Sequence, residues 1–90
     1  MSVLAEIEAL LQTFAPSVLE LEDESHLHAG HAGNKGGGHY RLLIVSDAFA
    51  AHNRVQRQRI INQTLASLFQ SGKIHALSIK ALTENEYFSV

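Results

Sequence analysis

Ninety residues with 46% hydrophobic content make one small globular domain with a single core, leaving little room for a deep, water-excluding active site. The absence of cysteine excludes disulfides and any thiolate metal site supplied by this chain alone, and a net charge of −2 gives no general affinity for nucleic acid. No apolar run approaches the roughly 18 residues that span a bilayer, and the opening Met1-Ser2-Val3-Leu4-Ala5-Glu6 has neither a basic start nor an apolar block, so no membrane partner and a cytoplasmic location are expected.

Leu4, Ile7, Leu11 and Phe14 recur at helical spacing behind Ser2, a good cap. They predict an amphipathic helix over residues 3–14, closed by Pro16, which disfavours a helical Ala15. Residues 17–23 alternate, Leu19 and Leu21 against Glu20 and Glu22, as a half-buried strand does. A loop over residues 25–39 holds five of the six glycines and is read as flexible. Tyr40-Arg41-Leu42-Leu43-Ile44-Val45-Ser46 is apolar on both faces, as in a central strand. After the connector Asp47–His52, Asn53 and Gln56 form a capping-box pair. They start a helix near 54–70 whose inward stripe is Val55, Ile61, Leu65, Leu68 and Phe69, with Gly72 as its stop. Residues 74–81 read as a third strand, and Thr83 can cap a short helix reaching Phe88.

The order is α-β-β-α-β with a possible terminal helix, all in one domain spanning residues 1–90. The helical crossover permits parallel pairing of the last strand. The predicted class is α+β: a two-layer domain with a three-stranded mixed sheet and helices on one face.

Four of the six histidines, His26, His28, His31 and His39, fall in the loop. Neutral imidazole is the commonest protein metal ligand and suits zinc, copper and iron. His75 opens the third strand, where alternation puts it on the face shared by Leu77 and Ile79. A loop histidine and His75 could meet at one rim of the sheet; the alternative is a soluble loop and a core-edge histidine. Two or three imidazoles without a carboxylate or thiolate make an incomplete site, which points to shared ligation. Arg54, Arg57 and Arg59 lie in the first turns of the second helix, where cations are disfavoured by the helix dipole. They are candidate contacts for phosphates or an acidic partner, or simply a solvated patch. Gly36-Gly37-Gly38 runs into a strand rather than a helix, unlike a phosphate loop. No nucleophile-turn motif frames a serine, so an enzyme is not expected.

Phe49-x-x-x-Asn53-x-Val55-x-Arg57-x-Arg59 and Ile74-His75-Ala76-Leu77-Ser78-Ile79, with Ser25-x-x-His28-Ala29 and Tyr40–Ser46, together resemble the BolA family across nearly the whole chain. The resemblance implies a fold similar to the class II KH domain. It also implies a non-enzymatic adaptor that pairs with a monothiol glutaredoxin as a heterodimer. The two share a [2Fe–2S] cluster whose remaining ligands are the glutaredoxin cysteine and a glutathione thiolate. The implied roles are iron–sulfur cluster trafficking, iron or redox regulation and, in some bacterial members, transcriptional regulation. His75 matches the family's strand ligand. His28 matches a loop position that is histidine in some members and cysteine in others, with His26 and His31 as alternatives. No cluster is expected in the isolated chain, which would be a monomer or weak homodimer. Mixed histidine and cysteine ligation raises a cluster's reduction potential over all-cysteine ligation.

Two departures stand out: Ala51 where the family usually has glycine, and Gln58 where it often has histidine. The alternative function is a nucleic-acid-binding transcriptional regulator, with DNA as a possible partner, that uses Arg54, Arg57 and Arg59. No Gly-x-x-Gly clamp for a nucleic-acid backbone is present between helical segments.

Overall fold

The computed structural model describes residues 2–25 and 38–89. Most of the expected loop, including His26, His28 and His31, lies outside the described residues.

Helix α1 spans Val3–Leu11, and the Ser2 hydroxyl caps it by accepting from the Ala5 N–H at 3.1 Å. Ile7 and Leu11 are buried. A 3-10 turn over Gln12–Phe14 follows and ends at Ala15. Ala15 adopts left-handed backbone, φ 47°, which keeps the residue before Pro16 out of the right-handed helical region.

Strand β1 is Val18–Asp23, β2 is Gly38–Val45 and β3 is Ile74–Leu82. The sheet order is β1-β2-β3, with β1 and β2 antiparallel and β2 and β3 parallel. The central strand buries Tyr40, Leu42 and Ile44 in one cluster with Ile7 and Leu11 of α1. Phe49, which closes a 3-10 turn over Asp47–Phe49, joins the same cluster and is fully buried. The predicted α+β architecture with a three-stranded mixed sheet is the one observed.

The capping box at Asn53 forms as predicted: its side chain accepts from the Gln56 N–H, and Gln56 accepts from the Asn53 N–H, both at 2.9 Å. The single helix expected near 54–70 is instead two, α2 (Arg54–Thr64) and α3 (Ala66–Gln70), broken at Leu65 with φ −100° and ψ 12°. Just before the break, the Thr64 hydroxyl donates to the Ile60 carbonyl at 2.9 Å, a back-bond that bends helices. Ile61, Leu65 and Leu68, four and three residues apart, stay on one face across the break and all reach the core. Val55 was placed on that inward stripe but is 58% exposed. Six residues before Ile61 is 600° of helical rotation at 100° per residue, about 120° off the buried line.

Gly72, at φ +81°, ends α3. Helix α4 (Glu84–Phe88) is capped by Thr83, as predicted, and Glu86 closes a capping box there as well.

Candidate metal centre

Strand β2 begins at Gly38, two residues before the expected strand, so His39 belongs to the sheet. Its backbone is fixed on both sides. The His39 N–H donates to the Ser25 hydroxyl at 3.0 Å, and its carbonyl accepts from the Glu24 N–H at 2.7 Å. Ser25 is itself held by its N–H to the Asp23 carboxylate at 2.9 Å. Gly38 is needed beside it, because a Cβ there would collide with the Tyr40 ring. Tyr40 is 7% exposed, and burial, then the neighbouring Asp23 charge, pushes its phenol above the ordinary value. It therefore stays neutral and packs as a hydrophobic plate.

The pairing of β2 with β3 is irregular at this point. Gly38 faces Ile74 and His39 faces Ala76, so β3 carries one extra residue, His75. Such a bulge is uncommon between parallel strands, and bulges re-aim side chains. Regular alternation put His75 on the face of Leu77 and Ile79. Instead Ile74 is buried at 2% exposure, while Leu77, Ile79 and Ala81 pack against the core further along. The bulge absorbs the parity difference between Ile74 and Leu77, and His75 is left exposed.

His75 meets His39 there, with ring centroids 5.0 Å apart and planes at 42°. Two imidazoles ligating one ion tetrahedrally at about 2.0–2.1 Å have centroids about 5 Å apart. The donor set therefore fits one iron or zinc ion, both of which accept imidazole. Among the described residues no group of three histidine, cysteine or carboxylate side chains gathers round an ion. An ion held by this pair alone would keep coordination positions for donors from outside the chain. His26, His28 and His31 lie outside the described residues. The sequence places His39 among the loop histidines, and the family pattern singles out His28, His26 and His31 rather than His39. The signal that could have found it was its place directly before the apolar run Tyr40–Val45.

The three arginines separate. Arg54 and Arg59 are exposed. The Arg57 side chain is 12% exposed. Its Nε donates to the carbonyls of Phe49 and His52 at 3.1 and 2.9 Å. Its Nη1 donates to the Ala81 carbonyl at 3.1 Å and to the Glu86 carboxylate at 2.7 Å. These partners explain a cation near a helix N-terminus without any ligand. Gln58, the second departure from the family pattern, donates to the Ile79 carbonyl at 2.9 Å.

SufE-like protein 1, chloroplastic/mitochondrial, of Arabidopsis thaliana is 45% identical over 85 residues, which are 88% of this chain and 23% of that protein. The chain thus spans less than a quarter of that relative's length. The solved BolA domain of SufE1 from Arabidopsis thaliana matches with a TM-score of 0.79 at 43% identity, covering 91% of this chain and 92% of that one. The DNA-binding transcriptional regulator BolA of Escherichia coli (strain K12) is 36% identical over 80 residues, 89% of this chain and 73% of that protein. Residues 10–86 match the model of the BolA-like protein family, and with these relatives this places the chain in that family.

Proposed function

We propose that this chain is a non-enzymatic adaptor that binds a monothiol glutaredoxin and contributes histidine ligands to a shared [2Fe–2S] cluster. The observation that carries the reading is the bulge in β3, which turns His75 out of the core and leaves it exposed at the sheet's rim. The missing thiolates are supplied by the partner's cysteine and by glutathione. By family correspondence a second histidine comes from this chain, at His28 or its neighbours His26 and His31. When bound, the cluster supplies one-electron chemistry or is itself cargo passed to a client. The chain's own task is to present imidazole at an open rim. The proposed place of action is the cytoplasm, and among the described residues no helix is long and apolar enough to cross a membrane.

The test is to add the chain to a glutaredoxin loaded with cluster and follow visible absorption and circular dichroism. The spectrum changes with the wild-type chain and does not change with His75→Ala. An identical change with both proteins overturns the assignment of His75.

A second reading, DNA binding, is favoured by exposed Arg54 and Arg59 and by the printed name of the Escherichia coli relative. Arg54 and Lys80 line a groove of about 470 Å³ between α2 and β3. DNA binding of this kind weakens with salt by a log–log slope of about −0.9 per phosphate contacted. It also survives His75→Ala and chelators, which the cluster complex does not.

A further inference from the structure

We propose that the sheet face turned away from α1, α2 and α3 is a self-association surface. A second copy of this chain packs there about a twofold axis running along β2, so that Glu20 of each copy meets Lys80 of the other. The proposal uses none of the histidines and does not rest on the cluster-sharing reading.

Helices α1, α2 and α3 cover one face of the sheet, where Ile7, Leu11, Ile61, Leu65 and Leu68 share a cluster with Tyr40, Leu42 and Ile44 of β2. Alternation turns Arg41 and Leu43 to the other face. There Arg41 is exposed and Leu43 is half-buried. The strand pairing fixes two rows across this face, Glu22–Arg41–Ser78 and Glu20–Leu43–Lys80. Helix α4 closes its far end. Val45 is fully buried there yet lies outside the core cluster. Tyr87 of α4 borders, with Leu43 and Leu82, a hollow of about 260 Å³.

The second row reads acid, leucine, base. Its ends lie two strand spacings apart, about 9.6 Å. Among the described residues neither Glu20 nor Lys80 makes an ion pair. A half-turn about an axis along β2 lays β1 of one copy over β3 of the other and Leu43 on Leu43. Each acid then faces a base, twice over, about an apolar centre, which is the self-complementarity that a twofold contact requires. A half-turn about an axis across the strands would instead stack Glu20 on Glu20 and Lys80 on Lys80. A purely acidic or purely basic partner answers one end of the row and opposes the other. The like-charge approach of the two Arg41 side chains is offset within each copy by Glu24 at 3.1 Å and Glu22 at 3.9 Å. A patch three strands wide and six residues long measures about 14 Å by 20 Å. That is well under the roughly 600 Å² per partner of a stable complex, so the dimer is weak and depends on concentration.

Sedimentation equilibrium of the full chain, with a chelator present to exclude bridging metal, follows the mean mass from micromolar to millimolar concentration. The wild type rises toward twice the monomer mass, and less so in added salt. Glu20→Lys and Lys80→Glu each turn two attractive pairs into two repulsive ones and weaken association about tenfold. Glu8→Lys, the same change of charge on α1, leaves it unaltered. The Glu20→Lys, Lys80→Glu double variant recovers wild-type association. So does an equimolar mixture of the two single variants, whose charges match only between chains. All of these positions are exposed, and circular dichroism checks that each variant keeps the fold. A wild type that stays monomeric at millimolar concentration overturns the proposal. A dimer that neither Glu20→Lys nor Lys80→Glu weakens, equal weakening by Glu8→Lys, or a mixture no tighter than its components overturns it too, and moves the contact to another surface.

Discussion

The two ends of β3 are built on opposite plans. Along its second half, outward carbonyls are taken by side chains from α2: Gln58 holds Ile79 and Arg57 holds Ala81. The Ser46 N–H takes the Leu82 carbonyl at 2.9 Å, and Glu86 of α4 closes onto Arg57. At its first residues, Ile74 is the buried anchor, the pairing slips by one residue, and His75 stands exposed beside His39. An exposed sheet edge is ordinarily covered or broken up to prevent unwanted pairing. Here one half is covered and the other is broken by a bulge that presents an imidazole. The contrast separates residues that hold the fold from an exposed histidine that the core does not use, so substitutions at the two ends should move different observables.

The largest expected effect lies at the covered end. Arg57→Ala takes the side-chain donor from the carbonyls of His52 and Ala81, leaves Phe49 with only the His52 N–H, and removes a charge-assisted bond to Glu86. The expected cost is about 2–3 kcal/mol, or roughly 10 °C or more in Tm for a domain of this size. Arg57→Lys recovers little, because one ammonium cannot replace the planar fork. Thermal melts check this. A change in Tm below a few degrees breaks the claim that Arg57 is an internal tie and returns it to the set of exposed arginines available for phosphate.

The next effect tests the junction between the two plans. A Cβ at Gly38 meets the ring of Tyr40, a buried and rigid neighbour. Gly38→Ala is expected to cost about 1–3 kcal/mol as an overpacking substitution. It also shifts the start of β2 and with it His39. In the Gly38→Ala, Tyr40→Leu double variant the two costs add to less than their sum, because the smaller side chain removes the collision. Strict additivity in denaturant titrations would show that the glycine has another role.

Much of this layout is legible in the sequence, and what is not has a common cause. The caps at Asn53 and Thr83 involve residues three apart, so their pattern is visible in one line of text. The central strand declares itself through its apolar run. The helix break at Leu65 is not visible, because Ile61, Leu65 and Leu68 keep the four- and three-residue spacing of one continuous helical stripe. The bulge is hidden for a stronger reason. It is a mismatch in residue count between β2 and β3, which are separated by two helices, and no window along the chain contains both strands. His75 was identifiable by family pattern, yet its facing was assigned by an alternation that the bulge breaks. His39 was lost to an ordinary uncertainty of two residues in where a strand begins. The internal role of Arg57 was hidden too, since its acceptors come from a 3-10 turn, a connector, β3 and α4.

A smaller effect sharpens the covered end further. The bond from Arg57, then the one from the Thr83 backbone N–H, holds the Glu86 carboxyl below its ordinary value. A carboxylate whose folded value is lowered stabilises the fold above its unfolded value of 4.5, and that stability is lost as pH falls through the folded value. Thermal melts of wild type and Glu86→Gln should therefore differ most near neutral pH and converge in acid. The Glu86 side chain is 45% exposed, so the gap is small and narrows with added salt. A gap that widens as pH falls would reverse the sign and remove Glu86 from the tie.

The smallest expected change in stability belongs to the residue with the largest expected change in function. His75 is exposed, lies outside the core cluster, and occupies the extra position of the bulge rather than a registered pair. Truncation to alanine removes a ring contact with His39 and no buried surface, so the change should stay within about 0.5 kcal/mol. The same substitution is expected to abolish the spectral response to cluster-loaded glutaredoxin. Arg57→Ala should do the reverse, lowering Tm while keeping that response at temperatures where the chain is folded. If His75→Ala proves as destabilising as Arg57→Ala, the bulge is a folding device and the two ends of β3 share one plan. If it is silent in melts and decisive in spectra, the slip has two separable uses: it buries Ile74 in the core and presents the His75 imidazole for binding.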